Sequence, residues 1–328
     1  MSAAEEYLTV VSRGDRGGAL EVVRRLQAEG ASPLDVMNQV IAPAQSRVGE
    51  LWARDTWSVA QEHAATAVSE AVLGLLGALV PPPSEHSAPV VVTCVEQEWH
   101  ALPALLVAEH LRTAGLPVSY LGANSSAEHL VRHVHETAPR AVLLSCSLGA
   151  SLPRVRRQVE AVRATGTPVV VGGAAFDTDG RRAAALGADA YAPDGAAAVL
   201  AVRALPTATL PMPTLPSATA EEGLAVQADR EELTARLRHR LLPTEETADP
   251  WQRVLGDHLP HLVGSVAGAL VTEDRTVLDE SLTWLADVLE HRKAPPGATE
   301  RVAVELAGVV REYPAAARLL SVRTAAAG

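Results

Sequence analysis

The spacing of hydrophobic and polar residues changes character twice along the chain. Residues 1–80 have helical spacing and predict four helices, at about 2–12, 15–29, 33–53 and 57–80. From Pro89 to about Leu205, short apolar runs alternate with helix-compatible stretches. Residues 219–328 return to helical spacing, and their prolines predict breaks that leave four or five helices. The pattern therefore predicts a helical region, an α/β region and a second helical region.

Five apolar runs in the middle region predict β-strands, each followed by a helix-compatible stretch. They are Val90–Val95, Val118–Leu121, Ala141–Cys146, Val169–Val171 and Ala188–Tyr191. This alternation predicts a five-stranded, doubly wound parallel sheet of the flavodoxin-like type. Ligands bind such sheets at the carboxyl ends of the strands. We therefore expect four loops to converge on one edge, at residues 96–103, 122–125, 145–148 and 172–176.

Two proline-rich segments separate the three regions. Residues 81–86 are polar and stiff, and residues 206–218 are rich in Pro and Thr with polyproline character. The predicted domains are therefore 1–80, 88–205 and 219–328, with the longer linker at 206–218.

Composition and charge restrict the compartment and the partners. The net charge is -11 and no dense Lys/Arg cluster occurs, so we expect no direct nucleic-acid partner. The arginine-rich segments 154–157 and 236–240 are interpreted as solvated helix faces. The two cysteines, Cys94 and Cys146, lie in strand-like runs and predict core residues rather than a disulfide scaffold. No signal-like segment and no apolar run of membrane-spanning length is evident, so we expect a cytoplasmic protein without a membrane partner.

The loop after the first predicted strand holds the first candidate for chemistry. A neutral imidazole at His100 could bind a transition metal, and the Glu98 carboxylate could accept a hydrogen bond from the other ring nitrogen. A solvated or structural histidine is the alternative. The loop contains no glycine, which disfavours NAD or FAD bound in the Rossmann manner. After the fourth strand, Gly172-Gly173 would let a flat ligand approach the backbone closely.

A second constellation spans the third and fourth predicted helices. Trp52 is followed, after nine residues, by Glu62-His63. By itself this pattern also fits a core tryptophan and a solvated charged pair.

Together the two constellations resemble cobalamin-binding proteins. Residues 48–52 and 58–63 are similar to the helical cap domain of that family. Glu98-x-His100 is similar to the Asp-x-His-x-x-Gly loop that supplies the lower cobalt ligand. Segment 120–124, Ser145 and Gly172-Gly173 match the loops around the buried nucleotide tail. The resemblance covers about residues 1–205 and implies a Rossmann-like cobalamin domain beneath a helical cap.

Within that family, the spacing of Trp52 and Glu62 is typical of the light-responsive, adenosylcobalamin-binding CarH type. The resemblance implies that His100 ligates cobalt, that Trp52 packs over the upper face, that Val59 lines it and that Glu62 contacts the adenosyl ribose. The further cobalamin contacts that it implies are His63, Glu98, Trp99, Gly122, Ser145, Ser147, Gly172, Gly173 and Tyr191.

The chain departs from the family pattern at four positions. Glu98 replaces Asp, and Pro103 stands where the motif has Gly. Ser147 replaces the Leu of the Ser-x-Leu motif of methyl-transferring relatives. This replacement weakens the case for a methyltransferase function. Ala53 stands where some CarH-type proteins have a His that captures cobalt after illumination.

The carboxyl-terminal helices resemble photocobilins in architecture. Those proteins combine cobalamin with a linear tetrapyrrole in a globin-like domain, which implies a noncovalently bound bilin such as biliverdin here. The residues suited to holding it are Asp257, His258, His261, Trp284, Asp287, His291 and Arg292. The alternative is an effector-docking or dimerisation bundle without a ligand.

These features predict a light sensor rather than an enzyme. Light would cleave the cobalt–carbon bond of adenosylcobalamin, and loss of the adenosyl group would shift the cap. We expect a homo-oligomer and a signalling partner protein. The main alternative is a methyl-carrier corrinoid protein for a cobalamin-dependent methyltransferase. A mutase component is a third possibility, but the chain shows no substrate barrel.

Overall fold

The computed structural model describes residues 1–83, 88–206, 217–242 and 249–324. Residues 84–87, which include the end of the first predicted linker, and residues 207–216 of the second lie outside the described residues, as does the predicted helix break at Pro243. The limits of the three predicted domains stay predictions.

The amino-terminal region is a four-helix cap, as the sequence predicts. Its helices are α1 (Ala3–Val11), α2 (Arg16–Ala28), a third helix of two parts, α3 (Pro33–Val36) and α4 (Ala42–Ala53), and α5 (Val59–Gly77). Capping boxes at Ser2, Ser32 and Ser58 satisfy the first backbone N–H groups of α1, α3 and α5. The fully buried side chains Tyr7, Met37, Ile41 and Leu73 belong to its core.

A single π-helical turn, Met37–Ile41, joins α3 to α4. Pro43 has no N–H to donate to the carbonyl group of Gln39, so the α-helical ladder cannot continue through this point. The backbone N–H of Ala42 instead bonds to the Met37 carbonyl, five residues back.

The middle region is a five-stranded parallel sheet in the order β2-β1-β3-β4-β5. The strands are β1 (Val90–Cys94), β2 (Val118–Gly122), β3 (Ala141–Ser145), β4 (Val169–Gly172) and β5 (Ala190–Tyr191). The connecting helices are α6 (Ala101–Thr113), α7 (Ala127–Thr137), α8 (Leu152–Arg163), α9 (Arg181–Ala185) and α10 (Gly195–Ala204). The strand order reverses between β1 and β3, which opens a crevice at their carboxyl ends.

The carboxyl-terminal region contains six helices among the described residues, more than the four or five predicted. They are α11 (Ala218–Ala228), α12 (Arg230–Leu241), α13 (Pro250–Thr272), α14 (Thr276–His291), α15 (Ala298–Val309) and α16 (Pro314–Thr324). The helix predicted over 219–241 is divided at Asp229, and 314–324 forms a separate helix.

Helix α13 is the core helix of this region. Over the described ranges it is also the one helix that is long and apolar enough to cross a membrane, with a mean hydropathy of 1.2. The expectation that no apolar segment reaches that length is therefore wrong. Buried residues make up 72% of its most apolar stretch, as is typical of a core helix in a folded protein.

The carboxyl-terminal helices pack against one face of the sheet and share its hydrophobic core. Val91 and Val171 of the sheet belong to the same buried cluster as Leu259 and Val263 of α13. Gly264 allows a close approach, because a Cβ atom there would lie 2.9 Å from the Ala150 carbonyl oxygen. Gly268 makes a similar approach to Gly149. The loop after β3 therefore sits directly beneath α13.

Hydrogen bonds from Arg182 of α9 connect the α13–α14 turn and the start of α14 to the α/β region. Its guanidinium donates to Asp274 (2.7 Å), to Thr276 (2.7 Å) and to Glu280 (2.8 Å). It also donates to the carbonyl group of Ala175 in the loop after β4 (2.9 Å). Only 2% of the Arg182 side chain is exposed, so its donors depend on these partners rather than on water.

Replacing Arg182 tests this attachment. We expect Arg182→Met to lower the free energy of unfolding by about 2–3 kcal/mol, because the carboxylates of Asp274 and Glu280 lose hydrogen bonds from a charged donor that is itself buried. The neighbouring Arg181 is a matched control, since 81% of its side chain is exposed and Arg181→Met should change stability by less than about 0.5 kcal/mol. Urea unfolding of the full chain measures both values. Equal effects of the two variants would contradict the assigned role.

Candidate functional site

The residue predicted to ligate a metal lies at the carboxyl edge of the sheet. His100 directly precedes α6, and its Nδ1 lies 2.5 Å from Oε1 of Glu98. Its backbone N–H donates to the same oxygen (3.1 Å). Over the part of the chain that the structure describes, Nε2 has no hydrogen-bond partner, and 58% of the side chain is exposed. One ring nitrogen is therefore fixed and the other is free to bind a ligand.

Glu98 is fully buried and holds this arrangement together. Its second oxygen, Oε2, accepts from the backbone N–H of Ser147 in the loop after β3 (2.8 Å). Burial alone would raise the pKa of Glu98, but the hydrogen bonds from His100 and Ser147 more than offset it and lower that pKa. The hydrogen bond to Glu98 raises the pKa of His100 above its ordinary value.

Two residues that the sequence analysis placed in the converging loops, but to which it gave no role, support Glu98. The backbone N–H of Asn124 donates to the Glu98 carbonyl group (3.0 Å), and Asn124 Oδ1 accepts from the N–H of Gln97 (2.8 Å). Both residues have positive φ, +62° for Gln97 and +55° for Asn124. Asparagine tolerates this conformation better than most residues, which was the one sequence signal available.

A cavity of about 510 Å³ lies above His100, between three parts of the chain. The cap contributes Trp52, and the sheet edge contributes His100, 147–150, Ala174 and Ala175. The carboxyl-terminal helices contribute chiefly His258, His261, Ser265, Glu280 and Trp284. Its volume falls within the range of about 300–1,000 Å³ that is typical of small-molecule sites. We refer to it as the upper cavity.

A smaller cavity of about 240 Å³, the lower cavity, enters the sheet itself. Ser145, Gly172, Gly173 and Pro103, all named in the sequence analysis, line it. His110 and Gly195, which the sequence analysis did not connect with a site, line it as well. Glycine is required here: a Cβ atom on Gly173 would overlap the Cys146 carbonyl group, and one on Gly195 would overlap the His110 ring. A cavity lined by these residues suits a group that binds between β3, β4, α6 and α10.

The cap residues named by the sequence fall near His100 on α5. The charge of Glu62 acts on His100, and Glu62 Oε1 accepts a hydrogen bond from Thr66 (2.9 Å). Val59, one turn earlier, is 50% exposed, and Trp99 beside His100 is 70% exposed. His63 lies 3.4 Å from Glu62 and is otherwise exposed. None of these four predicted residues lines the upper or the lower cavity.

Trp52 occupies an aromatic cluster with the carboxyl-terminal helices. It stacks on Trp284, with ring centroids 5.8 Å apart and planes at 20°, and His258 lies 6.0 Å away. Arg292 lies over the Trp52 ring, 5.2 Å from its centroid, and donates to the carbonyl groups of Trp52 (2.9 Å) and Ala53 (2.8 Å). The cap is thereby tied to α13 and α14.

Of the seven residues that the sequence suggests for a bilin, three line the upper cavity: His258, His261 and Trp284. Arg292 instead caps the end of α4, so its donors are engaged outside the cavity lining. Asp257, Asp287 and His291 lie on outer helix faces and do not line it. Burial lowers the pKa of His258, and lowers that of His261 to about 4, so both imidazoles are neutral at pH 7.

Two further predicted cobalamin contacts lie outside both cavity linings. The Gly122 carbonyl group accepts from Thr93 (3.1 Å), and Gly122 has φ +79° at the end of β2. Tyr191 packs against Phe176, with ring centroids 6.1 Å apart. Both have structural roles in the described chain.

The residues present fit a cobalamin. A free imidazole nitrogen faces the upper cavity, a buried carboxylate fixes the opposite nitrogen, and a glycine-lined slot enters the sheet beside it. The upper cavity suits a broad macrocycle, and the lower cavity suits a narrow tail. Both cavities are lined by residues at the carboxyl ends of the strands.

Comparison with known families identifies the class. The B12 binding domain family matches residues 88–203, and a second B12 binding domain family matches residues 3–76. The chain therefore carries two B12 binding domains, the helical cap and the parallel sheet, and cobalamin is its cofactor class. The carboxyl-terminal helices lie outside both matches.

Among curated proteins, the chain is similar to the HTH-type transcriptional repressor CarH of Myxococcus xanthus, with 36% identity over 152 residues. The match covers 44% of this chain and 48% of that repressor, so the chain spans about half the length of this relative.

Among solved structures, the monomethylamine corrinoid protein of Methanosarcina barkeri matches with a TM-score of 0.51 and 19% identity. It covers 62% of this chain and 98% of the corrinoid protein, and it supports the fold. A cobalamin-binding protein from Desulfitobacterium hafniense matches with a TM-score of 0.33 and 22% identity, covering 60% of this chain and 95% of that one.

One expectation about partners is wrong. The absence of a direct nucleic-acid partner was inferred from the net charge of -11, but the relative is a transcriptional repressor. Net charge averages over a whole chain, whereas nucleic-acid binding depends on a local basic surface.

Proposed function

We propose that the protein is an adenosylcobalamin-dependent light sensor of the CarH type. The observation that carries this proposal is the free Nε2 of His100, which faces the upper cavity while buried Glu98 fixes the opposite nitrogen. Bound adenosylcobalamin would supply a light-sensitive cobalt–carbon bond. The chain's own residues would bind it from below through His100, exclude water from above through the cap, and hold its tail between Gly172-Gly173 and α6.

The contacts between cap and carboxyl-terminal helices supply a route for the response. Trp52 faces the upper cavity and stacks on Trp284, and Arg292 holds the two carbonyl groups at the end of α4. A change in the group that fills the cavity would alter the contacts of Trp52 and shift the balance between two cap positions. The relative is an HTH-type transcriptional repressor. We therefore also propose that the response of this protein to light acts on a nucleic acid.

The first prediction concerns the lower ligand. We expect His100→Ala to retain little cobalamin, or to retain it with an absorption spectrum that lacks imidazole coordination. Glu98→Gln keeps a hydrogen-bond acceptor beside Nδ1 and should weaken retention by about 10- to 100-fold. Gel filtration followed by absorption spectroscopy measures both. His135→Ala, which removes an exposed histidine of α7, should keep the parental spectrum. A parental spectrum in His100→Ala would refute the ligand assignment.

The second prediction concerns the cap and separates the sensor from a methyl carrier. Glu62→Ala should weaken the binding of adenosylcobalamin by about tenfold and leave hydroxocobalamin unaffected, because only the former presents a ribose to a carboxylate. Trp52→Ala should also reduce the preference for the adenosyl form. Titration with adenosyl-, methyl- and hydroxocobalamin measures this preference. Tighter binding of the methyl form by the parent protein, unchanged in Glu62→Ala, would favour the methyl-carrier function.

A bilin such as biliverdin is the second ligand that we propose, bound along the carboxyl-terminal wall of the upper cavity rather than over His100. His258, His261 and Trp284 bring neutral imidazoles and an aromatic face into that cavity, opposite the edge that carries His100. Apolar burial at about 25 cal/mol per Å² could hold a tetrapyrrole without a covalent bond.

Matched histidine variants test this proposal. We expect the full chain to retain added biliverdin through gel filtration, and His261→Leu to reduce the retained pigment at least severalfold. His291→Leu is the control, because His291 lies on α14 outside the cavity lining. Absorbance in the red measures the retained pigment. Absence of pigment in the parent protein, or equal pigment in both variants, would exclude this ligand.

A further inference from the structure

A third cleft, of about 460 Å³, lies between the loop after β1, helix α8 and the junction of α11 with α12. Four arginines line it: Arg154, Arg156, Arg157 and Arg230. The sequence interpretation of 154–157 as a solvated helix face is wrong for two of them, because Arg154 is 8% exposed and Arg156 is 3% exposed. Burial of α8 beneath α11 accounts for the difference. We call this space the arginine cleft.

Two of these arginines converge on one neutral atom. Arg154 donates to Oε1 of Gln97 (2.6 Å), and Arg230 donates to the same oxygen (3.1 Å). Within the described ranges, neither guanidinium has a carboxylate within 4.0 Å, whereas Arg156 is paired with Glu160 at 2.6 Å. Buried arginines normally have an anionic partner, so an amide oxygen shared by two cations leaves their charge uncompensated.

The electrostatics of the pair agree with this geometry. Burial lowers the pKa of Arg154 to about 10, and the nearby charge of Arg230 contributes to the shift. Burial also lowers the pKa of Arg230. The carboxylates of Glu96 and Glu231 line the cleft too and moderate its charge, but they do not reach either guanidinium.

Part of the lining is apolar. Pro153, Leu224 and Ala228 supply this surface. The cleft therefore offers paired cations and an apolar wall.

We propose that the arginine cleft binds a phosphorylated small molecule with a ring system, of the nucleoside phosphate class. The phosphate lies between Arg154 and Arg230 and takes charge-assisted hydrogen bonds from both. The ring covers Pro153 and Leu224. Gln97 directly precedes Glu98. A ligand that takes the arginine hydrogen bonds from Gln97 would therefore change the contacts of the loop that positions His100.

The test is calorimetric titration of the full chain with ADP, GDP and UDP, alongside inorganic phosphate and the free nucleosides. We expect at least one diphosphate to bind saturably and at least tenfold more tightly than phosphate or its own nucleoside. Arg230→Gln, at a half-buried position, should weaken that binding at least tenfold. Arg13→Gln changes the net charge equally at an exposed site in the cap and should leave it unchanged. The measurement needs no cobalamin, so it stands apart from the light-sensor proposal.

Three results would overturn the proposal. The first is the absence of saturable binding by all three diphosphates. The second is binding of inorganic phosphate as tight as that of any diphosphate, which would mean that the apolar wall contributes nothing. The third is equal weakening, or no weakening, in Arg230→Gln and Arg13→Gln.

Discussion

The candidate site depends on one buried carboxylate. Glu98 has no exposed surface, and its two oxygens join the loop after β1 to the loop after β3 through His100 and Ser147. An unpaired carboxylate would be strongly destabilised at this position, so the charge is tolerated only because both loops supply donors. The same contacts set the direction of the free nitrogen of His100. Stability and ligand geometry are therefore consequences of a single arrangement.

Much of this arrangement could be predicted from the sequence, because it depends on local pattern. The valine-rich runs at β1 and β4 predict buried parallel strands, and chain topology then brings their loops to one edge. The relation between Glu98 and His100 spans two residues and is visible in the sequence. The split of the helix predicted at 219–241 is harder to predict, since Asp229 is compatible with either a helix interior or a break.

The contacts between distant segments could not be predicted from pattern. Arg292 lies 240 residues from Trp52, and nothing local to either residue indicates that the guanidinium will cap α4 rather than face a ligand. Arg154 and Arg156 have the composition of a solvent-facing surface, yet α11 covers them. In each case tertiary packing decides which donors and acceptors meet, and single-sequence periodicity contains no information about that choice.

The shared core beneath α13 has a consequence for how the molecule can move. Because Val91 and Val171 pack in the same cluster as Leu259 and Val263, separating the carboxyl-terminal helices from the sheet would expose a large apolar surface to water. A ligand would therefore have to supply a large free energy to separate the carboxyl-terminal helices from the sheet. The cap makes a smaller apolar contact with the sheet region: its core includes Leu102 of α6, and Trp52 packs against α13 and α14. Movement of the cap would therefore expose less apolar surface than movement of the carboxyl-terminal helices.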